Sequence, residues 1–215
     1  MTADGSSPDG AAGPHSEAAG AGKAGPDAAA LRIERLDPVD LELVAPLWGQ
    51  LLDHIATLPD AIVPIRPFEQ SWPLERAEML EELAGQGFVL AARRGTELVG
   101  YAYVKICSAD PVWYTGEHCA ELAHLCVAAG HRSGQIGSRL LDAVDDELQH
   151  RGINDVQIGV DAANHDALRF YERRGYRADF HILYGSPAGK PLACLEREAA
   201  DREAHRGRFA DHPRG

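Results

Sequence analysis

Apolar residues in this chain fall into two rhythms, short alternating runs and longer helical periodicities, and the rhythms interleave. Leu31 to Leu36 alternates apolar and polar positions and predicts a first strand. From Asp37 to Leu58 the residues Leu41, Val44, Leu47, Leu51, Leu52 and Ile55 recur at helical spacing. Pro59, Pro64 and Pro67 interrupt the chain, and a second helix is predicted from Pro73 to Ala84. Two runs, Gly87–Ala92 and Leu98–Ile106, read as strands that residues 93–97 join into a hairpin. His118 to Val127 reads as another strand. A helix then carries Ile136, Leu140, Leu141, Val144 and Leu148 on one face and ends where Gly152 suits the C′ position. Asp155–Val160 predicts a strand, Asn164–Arg174 a helix, and Tyr176–Tyr184 and Pro191–Glu196 two strands around the turn-rich segment 186–190. The class is α/β, a mixed sheet with helices packed against it.

One junction in this order carries chemistry. Val127-Ala-Ala-Gly-His-Arg-Ser-Gly-Gln-Ile-Gly-Ser-Arg-Leu-Leu141 leads from a short apolar strand through an Arg- and Gly-bearing loop into a helix. Such a loop turns several backbone N–H groups and the positive end of a helix dipole toward one point, an arrangement that holds a pyrophosphate. The helix opens without a carboxylate before Asp142 and carries Arg139, with Arg132 just upstream, which suits an anion. By itself, a glycine loop at a strand–helix junction serves many folds.

Arg132-x-x-x-x-Gly137, following Leu125-x-Val127, resembles the acetyl-coenzyme A loop of the GNAT family of N-acetyltransferases. Gln135 stands at the family's first glycine position, with Gly134 one residue earlier. A second segment, Asn164-His-Asp-Ala167-Leu-Arg-Phe170-Tyr171-Glu-Arg-Arg-Gly175-Tyr176, resembles the family's Asn-x-x-Ala-x-x-hydrophobic-Tyr pattern and its downstream Gly-aromatic pair. The resemblance covers residues 31–198. It implies a GNAT fold of about seven strands, mostly antiparallel, and about four helices, with a central strand pair splayed apart. It implies acetyl-CoA as acyl donor. The pantetheine arm would lie in the wedge against backbone groups of Leu125, Cys126 and Val127, in the manner of an added strand. Arg132, Ser133, Gly134, Gln135, Ile136, Gly137 and Ser138 would hold the pyrophosphate, and Asn164 would stand near the sulfur end.

Acetyl transfer to an amine needs a neutral nucleophile, a stabilised oxyanion and a proton for the departing thiolate. The family's matching tyrosine assigns the last role to Tyr171. Counting back from Arg132, Glu121 falls where one branch of the family carries a catalytic glutamate. A carboxylate buried in a strand can have its proton affinity raised into a useful range. His124 is a second candidate base and water a third. In a regular strand His124 would point away from Glu121, so the two act together only across a bulge. Cys126 lies near this site, but a free cysteine is more often buried than nucleophilic.

The surrounding composition narrows the picture. Residues 1–30 contain no Leu, Ile, Val or Phe and read as a disordered leader without signal-peptide architecture; residues 199–215 read as a polar tail. No run of eighteen apolar residues is present. Four cysteines without Cys-x-x-Cys spacing suggest reduced thiols and a cytoplasmic setting. The histidines lack metal-ligand spacing, so no metal is expected. The formal net charge of −12, without a basic stripe, argues against nucleic acid as a partner. Ten acids against Arg66 and Arg76 make residues 37–86 net −8. In the family this segment walls the acceptor side, so its charge favours cationic amines. Trp48, Trp72, Trp113 and Tyr114 are candidates to stack on an acceptor, Trp48 being better placed for the core. The reading is an acyl-CoA-dependent N-acetyltransferase acting on a primary amine of a cationic small molecule or a protein, by direct transfer in a ternary complex. An acyl-CoA-binding sensor without turnover is the alternative. The sequence leaves the acceptor, the acyl length and the oligomeric state open, a homodimer included.

Overall fold

In the computed structural model, residues 30–59, 65–112, 116–132 and 134–184 are described. The strand expected at 191–196, the tail, the leader up to residue 29, and Trp113, Tyr114 and Ser133 lie outside them.

Five strands form one sheet in the order β1 (Leu31–Arg35), β2 (Phe88–Arg94), β3 (Glu97–Ser108), β4 (His118–Val127) and β5 (Val156–Gln157). The first four are antiparallel neighbours, and β5 joins β4 in parallel. The β2–β3 hairpin turns on Gly95 and Thr96, with Gly95 at φ 59. A positive φ at the first of two loop positions is the conformation that glycine adopts without a Cβ clash.

Helices cover both faces. α3 (Ile136–His150) lays Ile136, Leu140, Leu141, Val144 and Leu148 against Phe88, Ala102, Val104 and Leu122. On the other face a short 3₁₀ helix (Pro38–Val44), α1 (Ala45–Ala56) and α2 (Phe68–Ala84) pack against Val89, Ala91, Tyr101 and Tyr103. α4 (His165–Arg173) places Phe170 and Tyr171 at the margin of the α3-side core.

Several boundaries differ from the sequence reading. The helix expected over 37–58 is divided: Asp37 caps the 3₁₀ segment by accepting from the Val39 N–H at 3.0 Å, and Pro46 stands in the first turn of α1. The second helix begins at Phe68, not at Pro73, which it carries inside. Aromatic packing explains this override, because Trp72 lies against Trp48 at 5.5 Å between ring centroids and stacks on Phe68 at 6.4 Å. Trp48 and Trp72 are thus core residues and not acceptor platforms. The strand expected over 155–160 pairs only at Val156 and Gln157, and residues 176–184 form no strand, with Phe180, Ile182 and Leu183 exposed.

Candidate acyl-donor and acceptor site

β4 outruns its parallel neighbour. Pairing with β5 stops at Glu121↔Gln157, and six further residues of β4 continue to Val127. The Ala128 N–H donates to the Val99 carbonyl at 3.0 Å, so strand alternation turns the backbone groups of Cys126 and Ala128 toward β3. Leu125 and Val127 direct theirs to the opposite edge. The sequence reading grouped Leu125, Cys126 and Val127; the geometry separates them. Cys126 also buries its thiol, which donates to the Leu47 carbonyl at 3.2 Å, and burial pushes that thiol up to about 11. A nucleophilic role does not suit such a thiol.

The loop beyond β4 brings Arg132 back over the strand, its Nε donating to the Val127 carbonyl at 3.4 Å. Gln135 then adopts φ 59, ψ 11, and among the described residues it is the one non-glycine with positive φ. The left-handed turn that a glycine would make freely is therefore kept by a residue with a Cβ. α3 starts directly after it, with no acidic residue in its first turn, and a Cβ added to Gly137 would sit 3.8 Å from the Val127 side chain. The helix N-terminus and the free edge of β4 thus meet at one corner. Arg94, at the end of β2, also reaches this loop, with its guanidinium 3.7 Å from a Cβ built on Gly134. Its hairpin position gave the sequence no sign of that.

Asn164 is the N-cap of α4, and its Oδ1 accepts from the Ala167 N–H at 3.1 Å. The side chain that the motif placed at the sulfur end therefore fixes the start of the helix carrying Tyr171. Tyr171 packs its ring between Phe170 at 5.1 Å and Tyr176 at 5.7 Å, and burial raises its phenol well above the ordinary range. The hydroxyl keeps its proton at any ordinary pH.

On the other face of the sheet the register of β3 and β4 slips. Tyr103 pairs with His124 and Val104 with Leu122, leaving Ala123 as an extra residue. This bulge turns Glu121 and His124 to the same side, since Glu121 pairs with Lys105 and His124 with Tyr103, two residues apart on β3. A regular strand would have separated them. The face they share looks toward α2, which contributes Glu75 and Glu78. His124 Nδ1 lies 3.2 Å from the Tyr101 hydroxyl, and Nε2 faces Glu75 Oε1 at 3.4 Å. Burial lowers the imidazole to about 3, so it is neutral. The Glu75 carboxyl is raised, by burial first and by Glu78 next, with Lys105 opposing. Lys105 donates to Glu78. Burial alone would lower the lysine, but the bond to Glu78 and the fields of Glu121, Glu78 and Glu75 raise it. Glu75, Tyr101 and Tyr103 escaped the sequence reading, the first as one of several glutamates on an acidic helix, the others as core strand residues.

Residues 55–176 match the model of the acetyltransferase (GNAT) family. The chain belongs to the GNAT family. Solved structures share its fold: a tetramutant of the BH1408 protein from Bacillus halodurans (TM-score 0.60, 18% identity, 72% of this chain and 99% of that one). The ribosomal-protein-alanine N-acetyltransferase from Brucella melitensis biovar Abortus 2308 superposes with TM-score 0.55 at 24% identity, over 73% of this chain and 99% of its own. The aminoglycoside N-acetyltransferase AAC(6')-Iy, solved in complex with CoA, does so with TM-score 0.57 at 14% identity, over 74% and 95%. No curated protein sequence matches. For this GNAT domain the mixed sheet is the family's sheet, and among the described residues β4 has no strand partner on its β5 side beyond Glu121. Among the described residues no group of three or more His, Cys, Asp or Glu side chains could hold a metal, and no helix is long and apolar enough to cross a membrane.

Proposed function

We propose that the protein transfers an acetyl group from acetyl-CoA to a primary amine of a cationic small molecule or of a protein, directly within a ternary complex. The observation that carries this reading is the β5-side edge of β4, which pairs with no strand beyond Glu121 among the described residues. Leu125 and Val127 offer backbone groups to the side where β5 no longer pairs, and that edge ends at the N-terminus of α3. An extended arm with amide groups fits such an edge as a strand would, with its phosphates at the helix start. Arg132, Ser133 and Gly134 to Ser138 form the phosphate loop.

The donor supplies a thioester, whose carbonyl the amine attacks. Tyr171 gives the leaving sulfur its proton, a role that a phenol held protonated can fill. Proton removal from the amine falls to the carboxylates on this side of the sheet, where Glu121 and His124 share the face of β4 that looks toward α2. The acidic segment 37–86 draws cationic acceptors toward that face.

The strained Gln135 gives some weight to a second reading, a sensor that binds acyl-CoA without turnover. Thiol release from acetyl-CoA in the presence of primary amines separates the two. Turnover that falls at least about tenfold in Tyr171→Phe, with acetyl-CoA affinity retained, supports the transferase. Binding without turnover at any amine supports the sensor.

A further inference from the structure

Tyr103 is fully buried, yet its hydroxyl finds no hydrogen-bond partner among the described residues. Nearly all buried polar groups are paired, and the bond of this oxygen is left for a water or a ligand to complete. The surroundings say what kind of ligand. Glu82, Glu78 and Glu75 from α2 and Glu121 from β4 all act on this hydroxyl, with Lys105 as the nearby cation, its Nζ 5.9 Å from the Tyr103 ring centroid. Four carboxylates around one lysine leave the spot strongly negative, so a ligand meeting the orphan oxygen there is a cation that donates hydrogen bonds.

We propose that the acceptor docks as an ammonium ion at the Tyr103 hydroxyl, between α2 and β4, and gives its proton to Glu75, which His124 and Tyr101 hold in position. This inference rests on the transferase reading and adds to it the acceptor's charge state and the base. Glu75 is the carboxylate with a built support. The bulge at Ala123 brings His124 beneath it, Nε2 at 3.4 Å, and the Tyr101 hydroxyl stands behind the imidazole at 3.2 Å. With a proton on Nε2 facing the carboxylate, Nδ1 accepts from the Tyr101 O–H, which fixes one tautomer. The carboxylate remains 21% exposed while the imidazole is 13% exposed, so Glu75 is the end of this chain open to a ligand. Glu78 and Lys105 are the other charged groups facing it, and their effects oppose each other. Glu121, across from Lys105, attracts the ammonium without taking its proton.

The step balances. The ammonium loses one proton to the Glu75 carboxylate, the freed lone pair forms the N–C bond with the thioester carbonyl, and the C–S bond breaks. The thiolate takes a proton from Tyr171, the second nitrogen proton restores the Tyr171 hydroxyl as the amide forms, and the proton held by Glu75 passes to solvent, so one proton is released overall.

The test is acetyl transfer by the full chain from acetyl-CoA to n-butylamine, 1,4-diaminobutane and spermidine, from about pH 4, in the ordinary carboxylate range, to about pH 9. The wild-type kcat/KM should fall toward acid as Glu75 is protonated. Glu75→Gln should lose about a hundredfold and abolish that acid limb. His124→Gln should move the limb, whereas a merely structural histidine would scale the rate without moving it. Tyr103→Phe should raise the KM for amine more than it lowers kcat. A Glu75→Gln enzyme that keeps both rate and limb overturns the assignment, as does a Tyr103→Phe enzyme with unchanged amine KM. Nitrogen NMR of the wild-type imidazoles gives a reading without any variant: His124 should be neutral with Nδ1 bare, and an imidazolium at neutral pH contradicts the proposal. Transfer to none of the three amines by a chain that binds acetyl-CoA sinks the ammonium site and leaves the donor reading standing. Failure to bind acetyl-CoA removes the donor reading itself.

Discussion

Gln135 shows how much one backbone angle decides at this site. Its φ of 59 is a conformation in which a Cβ costs about 1 kcal/mol or more, and the chain accepts it so that α3 can begin where the loop needs its N-terminus. Gln135→Gly should therefore raise stability by about 1 kcal/mol in denaturant unfolding and leave acetyl-CoA binding intact; a destabilised variant would mean that the side chain contributes contacts worth more than the strain. His124 makes a second residue-scale prediction. Its imidazole is lowered to about 3 from 6.5, so the stability it contributes is complete above pH 6.5 and is lost as pH falls toward 3. Melting temperature measured over that range should decline less steeply in His124→Gln than in the wild type. Neither feature was fully legible in the chain. The motif marked position 135 as the glycine site, but the face of His124 depends on a bulge, which is a relation between two strands and leaves no mark on one.

At the scale of elements, close approach and packing set what the pattern alone could not. Gly100 on β3 lets α3 settle onto the sheet: a Cβ there would stand 2.9 Å from the Cys126 carbonyl and 3.3 Å from Ile136 and Leu140. Gly100→Ala should cost about 1–3 kcal/mol in unfolding experiments and, on the proposed function, weaken acetyl-CoA binding by shifting the edge of β4. Asn164→Ala removes the cap of α4, worth about 1 kcal/mol, and should lower turnover through Tyr171 more than it lowers acetyl-CoA affinity. The strand–loop–helix unit around α3 was readable because its signals are local: apolar periodicity, glycines, an uncharged first turn. α2 was misjudged at its start because Trp48 and Trp72 reward five further helical residues ahead of a proline, and that reward comes from a distant element. β5 shrank to two residues because its pairing with β4 ends at Glu121↔Gln157, a relation between two strands that the run Asp155–Val160 does not carry.

For the whole molecule, the division of labour follows the sheet. One face carries the apolar core beneath α3, the other faces α1 and α2 with a polar cluster at its centre, and the exposed edge of β4 joins the two. Of the chain's net charge of −12, −8 falls on residues 37–86, which the proposed function sets on the acceptor side, so kcat/KM for cationic amines should fall as salt is raised, while a neutral acceptor's should not. A flat salt profile for spermidine would show that the acidic segment does not guide substrates. All of this depends on the corner where β4, the Arg132 loop and α3 converge. Calorimetric titration of the full chain with acetyl-CoA, followed by CoA, tests that corner most directly. Saturable binding at one site per chain, weakened by Arg132→Ala, is the predicted result; absence of binding to both nucleotides would contradict the account.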